Sequence, residues 1–152
     1  MLSVIVDAHS DQQALPALLL ALTPAAMDGV VRDVVIAAPA ASPMIEAVCE
    51  ETGAEAVFGD LGAAAKAARH ERVLVLPAGL RLKDGWIAIL KDHLARGGQD
   101  AVLAGEEGGG LFSALRPAPF GVLTERSRLA GLAHSELKAL RKGLRRPLAR
   151  LG

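Results

Sequence analysis

The sequence predicts an α/β domain, a mostly parallel sheet covered by helices on both faces in three layers. Short β-branched runs alternate with helical segments from Leu2 to Ala104, as parallel strands joined by crossover helices require. The run RVLVL, Arg72 to Leu76, is apolar at four successive positions, which suits a strand buried on both faces. Turn and cap residues stand at the junctions, so the changes of periodicity fall where the chain can reverse.

Taken in order, Leu2 to Val6 reads as the first strand. Ser10 to Gln13 supplies turn and cap chemistry, and Pro16 falls in the first turn of the helix that follows, where a missing N–H is harmless. Asp33 to Ala37 is a second strand. Ser42 reads as an N-cap with Pro43 in the first helical position, and Gly53 as the C-terminal cap. Ala54 to Phe58 is a third strand, Leu61 to Arg69 a short Ala-rich helix, and Arg72 to Leu76 the fourth strand. A helix over Lys83 to Arg96 carries Trp86, Ile87, Ile89, Leu90 and Leu94 as its apolar stripe. Ala101 to Ala104 is a strand, EEGGG a hairpin-like turn, Leu111 to Leu115 an antiparallel return, and Gly121 to Thr124 an edge strand. The last segment places Leu137, Leu140, Leu144, Leu148 and Leu151 near one helical face with basic residues around it, kinked or restarted at Pro147.

The chain of 152 residues reads as one domain, with a core large enough to need no disulfide staples. Aromatic residues are only 3% and Tyr is absent, so Ala, Val and Leu carry the packing. The single cysteine, Cys49, has no internal partner for a disulfide and reads as an inert thiol of a reducing cytoplasm. Neither a secretory signal nor a run long enough to span a bilayer is visible. The expected location is therefore cytoplasmic, with attachment to the inner face of the membrane as a further reading. Net charge is zero but lopsided. Residues 1 to 125 carry 9 Lys or Arg against 16 Asp or Glu, a balance of −7, whereas residues 126 to 152 carry 8 against the lone Glu136, a balance of +7.

Three stretches carry a family likeness: SVIVDAHSD with the helix LPALLLAL after it, VRDVVIAAPAAS, and ERVLVLPAGLRLKDGWI. In order and spacing they resemble the nucleotide-binding half of family-2 glycosyltransferases. That resemblance implies a Rossmann-like GT-A three-layer sandwich, here with a basic C-terminal helix. It covers residues 1 to 105 and fades beyond, leaving 106 to 152 as a short remnant. It also implies sugar transfer from a nucleotide donor, with the base against Asp7, Ala8, His9 and Asp11 at the end of the first strand. The second strand's end, where the family presents an acid to the nucleoside, is Ala38. At the fourth strand's end the family's Asp-x-Asp turn, which holds a divalent cation against the diphosphate, is Pro77, Ala78 and Gly79. A hard cation needs oxygen ligands, so no divalent metal is expected there, and the expected ligand is a nucleotide-diphosphate sugar held without one. The family's late catalytic acid finds its nearest match in Glu136 with His134.

Each of these residues has a plainer reading. Asp7 and Asp11 are also what a solvated turn and a helix N-terminus favour, and His9 could be a surface turn histidine. His134 and Glu136 are two apart and do not face each other on a helix, so their pairing requires a cap. Gly108 to Gly110 lack the Lys and Ser or Thr of a phosphate loop and read as a hairpin tip. Trp86 reads as core. Lys138, Arg141, Lys142, Arg145, Arg146 and Arg150 have three readings: a solvated face over a docked Leu stripe, contact with an anionic membrane surface or partner protein, or diphosphate binding by charge. Nucleic acid is disfavoured, because aromatic platforms are absent and the rest of the chain is acidic. The sequence therefore points to a glycosyltransferase-like scaffold whose metal-dependent transfer is lost or altered, a pseudoenzyme. An active metal-independent transferase and a non-catalytic binding module are the alternatives.

Overall fold

The computed structural model describes residues 1–106, 119–130 and 149–152. Its elements run β1 (Leu2–Asp7), a 3-10 turn (Gln12–Ala14), α1 (Leu15–Met27), β2 (Val31–Ala38), α2 (Pro43–Thr52), β3 (Glu55–Phe58), α3 (Leu61–Ala67) and β4 (Arg72–Pro77). They continue with α4 (Trp86–Ala95), β5 (Ala101–Ala104), β6 (Phe120–Glu125), α5 (Arg126–Ala130) and β7 (Ala149–Leu151). The strands form one sheet in the order β3-β2-β1-β4-β6-β5-β7. All neighbouring pairs are parallel except those of β6, which runs antiparallel to both β4 and β5.

Strand alternation divides the core into two layers. Leu2, Val4, Val6, Leu74 and Leu76 face α1, α2 and α4, packing with Leu15, Leu18, Leu22, Ile45, Val48, Trp86 and Leu90. Ile5, Val73 and Val75 face the other way, onto Leu61, Ala64 and Ala65 of α3 and Leu129 of α5. That second layer is thin because α3 turns alanines to the sheet, which lets its backbone approach closely. Each fully buried Leu, Ile or Val contributes roughly 1.5–3 kcal/mol, so the central strands, buried along their length, anchor the domain.

The sequence expectations hold for the first three strands and for α2, whose Ser42 Oγ accepts from the Ile45 N–H at 3.2 Å and whose Gly53 takes the left-handed cap conformation at φ 75°. Five require correction. Gly121 to Thr124 lies at no edge: β6 is wedged between β4 and β5, and the sheet's edges are β3 and β7. Gly121 suits that position, since a Cβ there would press on Leu76 and the Val75 carbonyl. Arg150 and Leu151 belong to β7, not to a basic helix; Leu151 is buried, and the pair register with Val102 and Leu103 of β5. The helix expected from Lys83 begins at Trp86, because Gly85 at its N-cap takes the left-handed conformation at φ 80°. The Ala-rich helix stops at Ala67, where Ala68 turns extended. Finally, α1 has no side-chain cap; the 3-10 turn leads into it instead. The EEGGG turn beyond Glu106, the return at Leu111 to Leu115, and His134 to Leu148 lie outside the described residues.

Candidate functional site

Parallel registers bring Asp7, Ala37 and Pro77 to one level at the carboxyl end of the sheet, with Ala38 beside Phe58. From β1 the chain moves outward to β2 and β3 on one side, and from β4 it moves outward to β5 on the other. The crevice between the ends of β1 and β4 is therefore the topological switch point, where open α/β sheets take their ligands. Of the expected site residues, Asp7 ends β1 and Ala8, His9 and Asp11 follow it, whereas Ala78 and Gly79 follow β4; Ala8 and Ala78 are buried. Ala38 stands one strand away.

The β1 loop holds the polar side chains. Asp7 Oδ1 lies 2.7 Å from His9 Nδ1 and 3.2 Å from the His9 backbone N. A carboxylate oxygen accepts in this contact, so His9 Nδ1 carries the hydrogen between them. Ala8 is buried; its N–H is donated to the Ala37 carbonyl at 2.8 Å, and its own carbonyl accepts from Gln12 Nε2 at 2.8 Å. Asp11 sits in the left-handed region at φ 55°, alone in this among the described non-glycine residues. Its carboxylate has no hydrogen-bond or ion-pair partner among the described residues, and it rests on Gly79, where a Cβ would stand 3.0 Å from Oδ2.

The β4 side is chemically bare. Pro77 has no N–H, the Ala78 N–H is donated to the Asp7 carbonyl at 2.9 Å, and the Leu80 N–H returns to the Pro77 carbonyl at 3.0 Å. Ala78 is 1% exposed and Ala38 fully buried, so neither has a side chain to offer a ligand. The turn supplies no side-chain oxygen to a cation, and among the described residues no three His, Cys, Asp or Glu gather at metal-holding distance. His134, Glu136 and Lys138 to Arg146 lie outside the described residues.

Two features escaped the sequence. The contact of Asp11 with Gly79 joins residues 68 apart and depends on the shapes of both turns. At the opposite end of the sheet, buried Ser3 donates to Asp33, the Arg69 N–H donates to Asp33 Oδ2 at 3.1 Å, and the His70 N–H donates to Ser3 Oγ at 3.0 Å. A buried polar residue inside the run LSVIV was the signal for that second cluster.

Among solved structures, the chain is similar in fold to glucosyl-3-phosphoglycerate synthase from Mycobacterium tuberculosis, solved with Mn2+, UDP and glucosyl-3-phosphoglycerate. The TM-score is 0.59 at 17% identity, covering 86% of this chain and 58% of that one. The same synthase with Mn2+ and UDP-glucose gives 0.58 at 18%, covering 86% and 57%. The 2-C-methyl-D-erythritol 4-phosphate cytidylyltransferase from Thermus thermophilus gives 0.62 at 18%, covering 98% and 87%. No protein-family model and no curated protein sequence matches the chain. At these identities the likeness is one of fold, and the fold is the GT-A-type α/β sandwich; the chain spans somewhat under two thirds of the synthase's length. No helix among the described residues is long and apolar enough to cross a membrane.

Proposed function

We propose that this chain is a glycosyltransferase-like domain that binds a nucleotide sugar at the crevice between β1 and β4, with metal-dependent transfer lost. One observation carries the reading. A GT-A-type sheet keeps a polar loop, Asp7 to Asp11, at its switch point while the facing turn is Pro77-Ala78-Gly79. The neighbours of known structure include enzymes solved with UDP, UDP-glucose and Mn2+, which supports a nucleotide sugar as the ligand class. A turn without side-chain oxygens leaves a hard cation little to hold on to, which supports loss of the metal route. Glu136 and His134 are retained in this reading as the acid and base of any residual transfer.

The excess of basic residues over 126 to 152 favours a second reading, a metal-independent transferase in which Lys138, Arg141, Lys142, Arg145, Arg146 or Arg150 offsets the charge of the leaving diphosphate. Calorimetry with uridine and guanosine diphosphate sugars, with and without Mn2+, and chromatography of the donor afterwards separate the two. Binding without metal dependence and without donor breakdown is expected. Donor hydrolysis without metal establishes the second reading, and hydrolysis that needs Mn2+ overturns both. Silence toward every nucleotide leaves a protein or anionic membrane partner. Flotation with anionic vesicles, before and after neutralising Lys138, Arg141, Lys142, Arg145 and Arg146, then decides between them.

A further inference from the structure

We infer that the β3 edge of the sheet is a docking site for an extended, basic segment of a partner protein, which adds to the sheet as a further strand. This edge lies beyond β2 from the β1–β4 crevice, and its role does not depend on nucleotide binding. Backbone direction leaves it open. Within a strand the N–H and C=O of one residue point to one side and those of the next to the other. The Gly59 N–H is donated to the Ala38 carbonyl at 3.0 Å, and β3 registers with β2 from Glu55 opposite Val35 to Phe58 opposite Ala38. Val57 and Gly59 therefore turn inward to β2, whereas Ala56 and Phe58 turn both their donors and their acceptors outward. Those groups have no hydrogen-bond partner among the described residues. Edge strands are commonly blunted by Pro, Lys or a bulge, but β3 reads Glu-Ala-Val-Phe and its register is unbroken.

Side chains add an apolar contact. Phe58 is 52% exposed and shares a strand face with Ala56, so an apolar side chain of an added strand can pack against it. Charge then decides the occupant. The stretch from Asp33 to Ala65 contains six Asp or Glu and no Lys, Arg or His. Glu46, Glu50 and Glu51 of α2 and Glu55 of β3 are exposed, and none has an ion-pair partner among the described residues. A second copy pairing antiparallel through the same edge would set α2 beside α2 and bring these like charges together. A strand that carries Lys or Arg instead meets the opposite charge. The ladder supplies direction, and the glutamates select a basic sequence.

The test is fluorescence anisotropy of the full chain with three labelled peptides: one alternating lysine and valine, one alternating glutamate and valine, and the lysine peptide N-methylated at every residue. The lysine peptide is expected to bind about tenfold or more tighter than the glutamate peptide at about 0.05 M salt, an advantage that shrinks at about 0.5 M. N-methylation keeps the charge but removes the ladder donors, and should weaken binding about tenfold. Ala56→Pro, which removes an N–H that makes no bond within the chain, should weaken the lysine peptide similarly while the urea midpoint stays near the wild-type value. An N-methylated peptide that binds as well as its parent overturns the inference, because charge attraction then acts without strand addition. Equal binding of the glutamate peptide overturns it, as does the absence of binding at about 1 mM peptide. A dimer of the chain alone in sedimentation, dissolved by Ala56→Pro, assigns the edge to a second copy and also overturns it.

Discussion

Thr124 is wholly buried on β6, and its hydroxyl has no hydrogen-bond partner among the described residues. A buried hydroxyl without a partner costs about 1–3 kcal/mol against an apolar group of the same shape. Thr124→Val should therefore raise stability by about 1 kcal/mol, seen as a higher urea midpoint at constant slope. Cys49 is half-buried on α2, and burial pushes its thiol above the usual range. At neutral pH it should react slowly with a disulfide reagent, and the rate should climb only in alkali beyond the range of a free thiol. The sign for stability follows: the unfolded thiol ionises first, so the folded state loses stability as pH rises through the unfolded value and levels off above the folded one. At this scale the sequence was legible where chemistry is local. Asp7, His9 and Asp11 could be read as a polar turn, but the seat of Asp11 on Gly79 belongs to two turns at once.

Elements were legible in proportion to how far their ends are set by near neighbours. Helix α2 could be bounded from Ser42, Pro43 and Gly53 because a cap is a contact across three or four residues. Ser42→Ala should accordingly cost about 1 kcal/mol, measured by thermal or urea unfolding. Helix α4 could not be bounded in the same way. Its reading began at Lys83, but Gly85 turns left-handed and sets the start at Trp86, and a single glycine near a helix end can equally be a tolerated helical residue. Local pattern misled the reading of β6 as well. A strand of four buried residues between half-buried ends has the pattern of any interior strand, and proximity to Pro117 and Pro119 made an edge look natural.

For the whole molecule, the alternation of strands and helices fixed the parallel part of the sheet, since each crossover leaves few alternatives. The antiparallel insertion was illegible because it pairs residues 72–75 with 122–125, a separation that periodicity cannot register. The cluster of Ser3, Asp33, Arg69 and His70 has a molecular role for the same reason: it ties β1 and β2 to the segment entering β4. Asp33→Ala leaves the Ser3 hydroxyl and the Arg69 N–H without their acceptor. The expected loss is about 2 kcal/mol, with hydrogen exchange quickening at β1, β2 and β4 together and not at Asp33 alone.

The place of β6 also dictates an order of assembly. A ribosome releases β4 and β5 before the strand that must separate them, so a nascent chain holds two facing ladders of open backbone groups until residues 120–125 emerge. During that interval a foreign strand can lodge in the gap. A delay imposed after β5 has emerged and before residues 120–125 emerge should therefore increase aggregation, whereas the same delay imposed once they have emerged should not.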